Sequence, residues 1–165
     1  MRWGYITKGM FMTKEAYPIL YQPMQLIKDQ LWDQVWQSHN WPKVSTFLWL
    51  LSKQRILTWD NLQKRGFIGP SRCSNCNVHS ENIKHLFDTC PLAAQMWERT
   101  TQCNRRTGRR EGDIVNTIRN WPRNHFQSPL LNALWNLLPG FVYWIIWKER
   151  NNRIFKNHNS PLDTL

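Results

Sequence analysis

Between Arg72 and Pro91 the chain reads RCSNCNVHSENIKHLFDTCP, and this spacing constrains the fold more than any other feature. Cys73 and Cys76 form a Cys-x2-Cys pair; His85 follows after eight residues and Cys90 after four more. A Cys-x2-Cys turn brings two sulfurs onto one edge of a tetrahedron, and a later His and Cys close the other edge. Four protein ligands leave no position for water, so the pattern predicts a closed, structural Zn2+ site and not a catalytic one. Such a site supplies folding free energy to a segment too short to build its own core. Cys90 stands just before Pro91, at the expected start of a helix, where backbone N–H groups favour a thiolate. Ser71 and Asn75 are candidates for supporting hydrogen bonds.

Rival readings use the same residues. His79 offers a Cys-x2-Cys-x2-His alternative, although NVHSEN reads as a solvated turn. The four cysteines would allow three disulfide pairings. The start, MRWGYITKGMFMTKEAY, has neither an apolar h-region nor a small-residue cleavage site, so the expectation is an intracellular, non-secreted protein, in nucleus or cytoplasm. Disulfides are rare in that setting. A redox Cys-x2-Cys would want a βαβ context, and none is visible. Cys103 falls outside the spacing and reads as a free or buried thiol.

The rest of the 165 residues predicts a mostly α fold: a helical domain around a small zinc knuckle of three Cys and one His. Helices are expected over 13–21, 24–38, 44–56 (apolar nearly all round, hence buried), from Thr58 to a stop at Gly66, from Pro91 to Arg99 or beyond, over 113–120, and over 130–157 with a kink at Pro139. A short hairpin around the cysteines is a further candidate. Residues 67–72 read as a turn-rich link, 105–113 as a basic loop and 121–129 as a break. The expected organisation is a helical flank (1–41), a zinc-binding unit (42–98), a basic loop region (99–128) and a C-terminal amphipathic helix and tail (129–165). The apolar run 137–147 falls short of the ~20 residues that span a bilayer, so no membrane partner is expected.

Lys and Arg number 22 against 11 Asp and Glu, a net charge of +11. That excess points to a polyanionic partner, RNA or single-stranded DNA before a membrane surface. Candidate phosphate contacts are Lys64, Arg65 and Arg72 before the knuckle, Lys84 within it, and Arg99, Arg105, Arg106, Arg109 and Arg110 after it. The basic run also reads as a merely solvated loop. Phe67 and Phe87 are stacking candidates that read better as core. The tryptophans at 32, 36, 49, 97, 135, 144 and 147 lie on apolar helix faces and read as packing residues. Trp135, Val142, Ile145, Ile146 and Trp147 form a candidate exposed docking surface on the last helix. His39, His79, His125 and His158 sit in polar contexts with no nucleophile to serve.

The motifs, taken together, resemble the zinc-binding region of plant non-LTR retrotransposon reverse transcriptases. The family's "P-K-V-x-x-F-x-W" is carried by Pro42, Lys43, Val44, Phe47 and Trp49; "R-x-L-T-x-x-N-L-x-x-R-G" by Arg55, Leu57, Thr58, Asn61, Leu62, Arg65 and Gly66. Cys73 and Cys76 then lead to "E-x-x-x-H-L-F-x-x-C-P-x-A-x-x-x-W", here Glu81, His85, Leu86, Phe87, Cys90, Pro91, Ala93 and Trp97. The likeness is strong over 42–97. Weaker likeness extends upstream, in WGYITKGMFMTKEAY, and downstream to "W-x-x-W-K-x-R-N-x-x-x-F", here Trp144, Trp147, Lys148, Arg150, Asn151 and Phe155. The resemblance implies a piece that follows a polymerase domain and often precedes a ribonuclease H domain. No two of its aspartates are adjacent to hold a polymerase's metal pair, which implies a non-catalytic fragment. A reverse transcriptase domain supplied by another chain is a candidate partner.

Overall fold

The computed structural model describes residues 31, 35, 36, 41–102, 114–121 and 125–158. The expected helix over 13–21, most of the one over 24–38, the basic loop with Arg105, Arg106, Arg109 and Arg110, and Cys103 lie outside these residues. Leu31, Val35 and Trp36 are helical; Leu31 and Val35 enter the core one turn apart, whereas Trp36, expected to pack, is 39% exposed.

Helix α1 runs from Pro42 to Ser52, with proline in its first turn, where a missing N–H costs nothing. It buries Val44, Phe47, Leu48 and Leu51, which share one face at helical spacing, and leaves Leu50 outside. The expectation of a helix buried all round is therefore corrected to an amphipathic one. The chain leaves α1 through Gln54 in the left-handed region (φ 54°). Asn61 ties this turn shut by donating to the Gln54 and Ile56 carbonyls, each at 2.8 Å.

Helix α2 is the short Trp59–Gln63. Thr58 stands at its N-cap, but its hydroxyl donates to Asp60 and not to the backbone role a cap performs; the open Trp59 N–H is taken instead by Glu81. Gly66, at φ 85°, turns the chain out of α2. A Cβ there would meet nothing within 4 Å. Gly66→Ala is thus expected to cost about 1–2 kcal/mol through backbone strain alone, read as a lower urea midpoint with an unchanged slope.

A single π-helical turn, His85–Thr89, precedes α3, Pro91–Gln102; α4 is Ile114–Arg119 and α5 is Pro129–Lys156. Helix α5 continues through Pro139 and ends at Asn157 in the left-handed conformation. The described residues contain no strand; the candidate hairpin is reduced to one antiparallel bridge, Arg72 with Ser80.

The core is aromatic and lies where α1, the π turn, α3 and α5 meet. Phe87, fully buried, contacts Phe47, Tyr143 and Trp147 at ring separations of 6.1, 5.8 and 6.5 Å. Phe47 lies against both Trp144 and Trp147. Trp97 donates its indole N–H to the Phe87 carbonyl and meets Tyr143 edge-on at 5.0 Å. Val142 and Ile146 are likewise buried in this core, with Ile145 and Trp147 packed on it, while Trp135 is buried against Trp121 and Phe126. The expected exposed docking surface on the last helix is thereby corrected: α1 and the π turn of the same chain cover its middle, and Trp121 and Phe126 cover Trp135. Exposed apolar residues of α5 instead sit at its two ends, Leu130, Leu131 and Leu134 near the start and Ile154 and Phe155 in the last turn. The 28-residue α5 is long and apolar enough by length and composition to cross a bilayer. A core helix meets the same criterion, and α5 also buries Glu149 and Arg150 against the rest of the fold.

Candidate metal centre

The bridge between Arg72 and Ser80 folds the first cysteine pair into a tight loop. Cys73 donates its N–H to the His79 carbonyl (2.8 Å), Glu81 donates to Ser71 (2.6 Å), and Asn77, in the left-handed region, returns its N–H to Cys73. The π turn supplies the other half. Five residues along an α-helix would set His85 and Cys90 about 140° apart, at 100° per residue. The wider π turn, closed by the Cys90 N–H on the His85 carbonyl at 2.7 Å, brings them to one side. Asn82 anchors its start by accepting the His85 N–H at 2.8 Å.

The result gathers Cys73 Sγ, Cys76 Sγ, Cys90 Sγ and a His85 ring nitrogen, all within 4.8 Å of one another. Cys73, His85 and Cys90 are buried, Cys76 partly so, and the three cysteines are unbridged. Cys76 Sγ lies 3.3 Å from His85 Nε2. With metal–ligand bonds of about 2.1–2.3 Å, a tetrahedral zinc sets its donors about 3.5–3.8 Å apart, so the cluster needs only small adjustment to close on an ion. Three sulfurs and an imidazole are a donor set that suits zinc.

Local electrostatics support the same chemistry. Cys90 is held below the ordinary thiol range because it accepts a hydrogen bond from Cys73, helped by the Leu92 and Ala93 N–H groups at the start of α3. Cys73, as the donor in that pair and by burial, is pushed up; the N–H groups of Cys76 and Asn75 act in the opposite sense. A divalent ion displaces the shared proton and is met by thiolates. Burial, then the neighbouring His79, lowers the His85 pKa and favours the neutral imidazole a metal requires. His85 Nδ1 lies 3.2 Å from Thr89 Oγ1, a partner that steadies the ring while Nε2 faces the sulfurs.

His79 is exposed, 5.1 Å from the His85 ring, and lends the loop its carbonyl; the structure brings His85 to the sulfurs. Of the two expected supporting residues, Asn75 acts through its backbone N–H and Ser71 through its carbonyl. Thr89, Asn82 and two arginines of α5 escaped sequence reasoning. Arg150 and Glu81 form a buried fork, Nη2–Oε1 2.7 Å and Nε–Oε2 3.2 Å. Arg153 pairs with buried Glu149 at 2.6 Å. Glu81 and Arg150 each stood in a quoted motif, and Glu149–Arg153 has helical i,i+4 spacing; nothing in the sequence paired the motifs.

The expected phosphate contacts Lys64, Arg65, Arg72, Lys84 and Arg99 are all exposed. Lys64 and Lys84 line one cleft of about 400 Å³ together with Asp60, Asn61, Asn82 and Asp88. Phe87 is core, as expected. Phe67 is not: it is 59% exposed, and Ile68 beside it fully so. The Trp59 ring lies against Gly69, where a Cβ would come within 2.4 Å of it, and so fills the space beneath this loop.

Fold and site together define a helical protein built around a closed cluster of three cysteines and one histidine. Residues 11–97 match the family described as zinc-binding in reverse transcriptase, and the chain belongs to that family. A protein of Arabidopsis thaliana named as a ribonuclease H protein is 22% identical over 167 residues, covering 99% of this chain and 26% of its own length. The chain therefore spans about a quarter of the relative it matches. No solved structure matches it.

Proposed function

We propose that the chain is a non-catalytic, retrotransposon-derived nucleic-acid-binding module whose Zn2+ is held by Cys73, Cys76, His85 and Cys90. The ion shapes a rigid loop; it does no chemistry, since a closed donor set leaves no place for a reacting water. The observation that carries nucleic-acid binding is the surface beside that loop. Lys64, Arg65, Arg72 and Lys84 are exposed, Lys64 and Lys84 on one cleft. Phe67, next to Arg65 and Gly66 in the chain, is an aromatic ring left in solvent while Phe47, Phe87 and Trp97 are packed away. Cations meet phosphates and an exposed ring stacks on an unpaired base, so the ligand is RNA or single-stranded DNA. Arg99, with Arg105, Arg106, Arg109 and Arg110, extends the charge. Thiolate ligands fit a reducing compartment, nucleus or cytoplasm.

Anisotropy titration of a labelled single-stranded RNA, and of the DNA of the same sequence, tests this. If the four cations engage, log K falls with log salt at a slope of about −3. Arg72→Ala reduces the slope by about 0.7, while Phe67→Ala weakens binding by about 1–3 kcal/mol and leaves the slope alone. Absence of binding, or binding indifferent to salt, sinks the reading. A second reading, docking on a polymerase domain of another chain, is favoured by exposed Leu130, Leu131 and Leu134 and would show that indifference.

A further inference from the structure

Helix α5 reaches into the metal loop with side chains that nucleic-acid binding does not use. Arg153 Nη1 donates to the Asn75 carbonyl at 2.9 Å and lies 3.5 Å from that of Ser74. Both carbonyls belong to the turn between Cys73 and Cys76. The peptide unit that offers the Asn75 carbonyl to Arg153 is the one whose other end, the Cys76 N–H, hydrogen-bonds to the Cys73 sulfur. The Ser74 carbonyl and the Asn75 N–H stand in the same relation. A guanidinium on the carbonyl side polarises each peptide, and chained hydrogen bonds strengthen one another. Positive charge is thus relayed to Cys73 Sγ without touching it.

The second arm of the site is held from the same helix. Arg150 grips Glu81, four residues before His85, and Glu81 also receives the Trp59 N–H at 3.0 Å. Neighbouring turns of α5 therefore hold both the cysteine turn and the segment that delivers the histidine. Loss of a partner that orients metal ligands typically costs about 10–100-fold in metal affinity.

We propose that Arg153 is a positioning residue of the metal centre, which sets the Cys73–Cys76 turn for zinc through the Ser74 and Asn75 carbonyls. The inference rests on the Cys3His assignment and is independent of nucleic-acid binding. Zinc affinity is measured by chelator competition on the full chain, and Co2+ thiolate absorption reports the geometry of the centre. Arg153→Ala is expected to lose about 10–100-fold in zinc affinity. Arg153→Lys, which keeps a cation for Glu149 but not the fork, recovers part of it. Val142→Ala, a core truncation on the same helix far along from the loop, holds zinc within about threefold of wild type (under ~1 kcal/mol). Wild-type affinity in Arg153→Ala, or an equal loss in Val142→Ala, overturns the proposal. Should Arg153→Ala not fold, Arg153→Lys against Val142→Ala decides it, and equal affinities overturn it. A folded wild type that takes no zinc removes the ligand assignment itself, which separates that failure from this one.

Discussion

Cys90→Ser is expected to yield a protein without zinc and with part of its helix content lost, and chelation of the wild type is expected to reproduce it. Structural zinc contributes an apparent ~10–16 kcal/mol at neutral pH in small zinc domains, more than the stability of a typical single domain. Apart from the contacts of Arg150, Arg153 and Trp59, residues 71–84 have little to hold them. They carry one bridge, and of their apolar side chains only Cys73 and Ile83 are buried, while Val78 is exposed. Loss of the ion should therefore release this loop first. The π turn follows, because its register depends on His85 and Cys90 facing one point, and Leu86 and Phe87 leave the core with it. Metal content and far-UV circular dichroism read both events. His85→Ala should behave as Cys90→Ser does, whereas His79→Ala should keep one zinc per chain. Loss of zinc in His79→Ala with retention in His85→Ala would reassign the fourth ligand.

The centre was readable from sequence because ligand chemistry and spacing are local. Two sulfurs three residues apart, a histidine and a cysteine before a proline leave few arrangements, and the structure realises the expected one. Helices α1, α3, α4 and α5 were readable from apolar period and proline placement. What the spacing could not reveal is the π turn, since a Cys five residues beyond a His is compatible with several backbones, and only the i→i+5 bond selects this one. Phe67 was misread as core because hydropathy cannot see that Gly66 turns the chain outward and that Trp59 already occupies the space beneath. The surface assigned to Val142 and Ile146 was misread for the opposite reason: their cover comes from α1, some ninety residues earlier in sequence. Long-range pairing was illegible for the charges too. Glu81 and Arg150, 69 residues apart, each looked like an isolated polar position in a motif.

That pair gives the second large effect. Arg150→Met alone is expected to destabilise the protein by about 3–5 kcal/mol, because it leaves the Glu81 carboxylate buried without its cation. Glu81 would retain only the Trp59 N–H as a partner among the contacts described above. Glu81→Leu alone should cost a similar amount by stranding a guanidinium that has Asn151 and the face of Trp147 for company. The double variant should recover much of the loss. Two desolvated charges are removed together, and the aliphatic replacements sit against an apolar core; buried pairs exchanged in this way are often neutral or better. Urea denaturation of the four zinc-loaded proteins closes the cycle, and the expected coupling is at least about 2 kcal/mol in the sense that the pair is favourable only when whole. Strict additivity would mean that Arg150 acts through packing on Trp147 and not through Glu81. If the double variant is stable but binds zinc more weakly than wild type, the fork is needed to aim His85 rather than to hold the fold, and the ion pair persists for the sake of the metal.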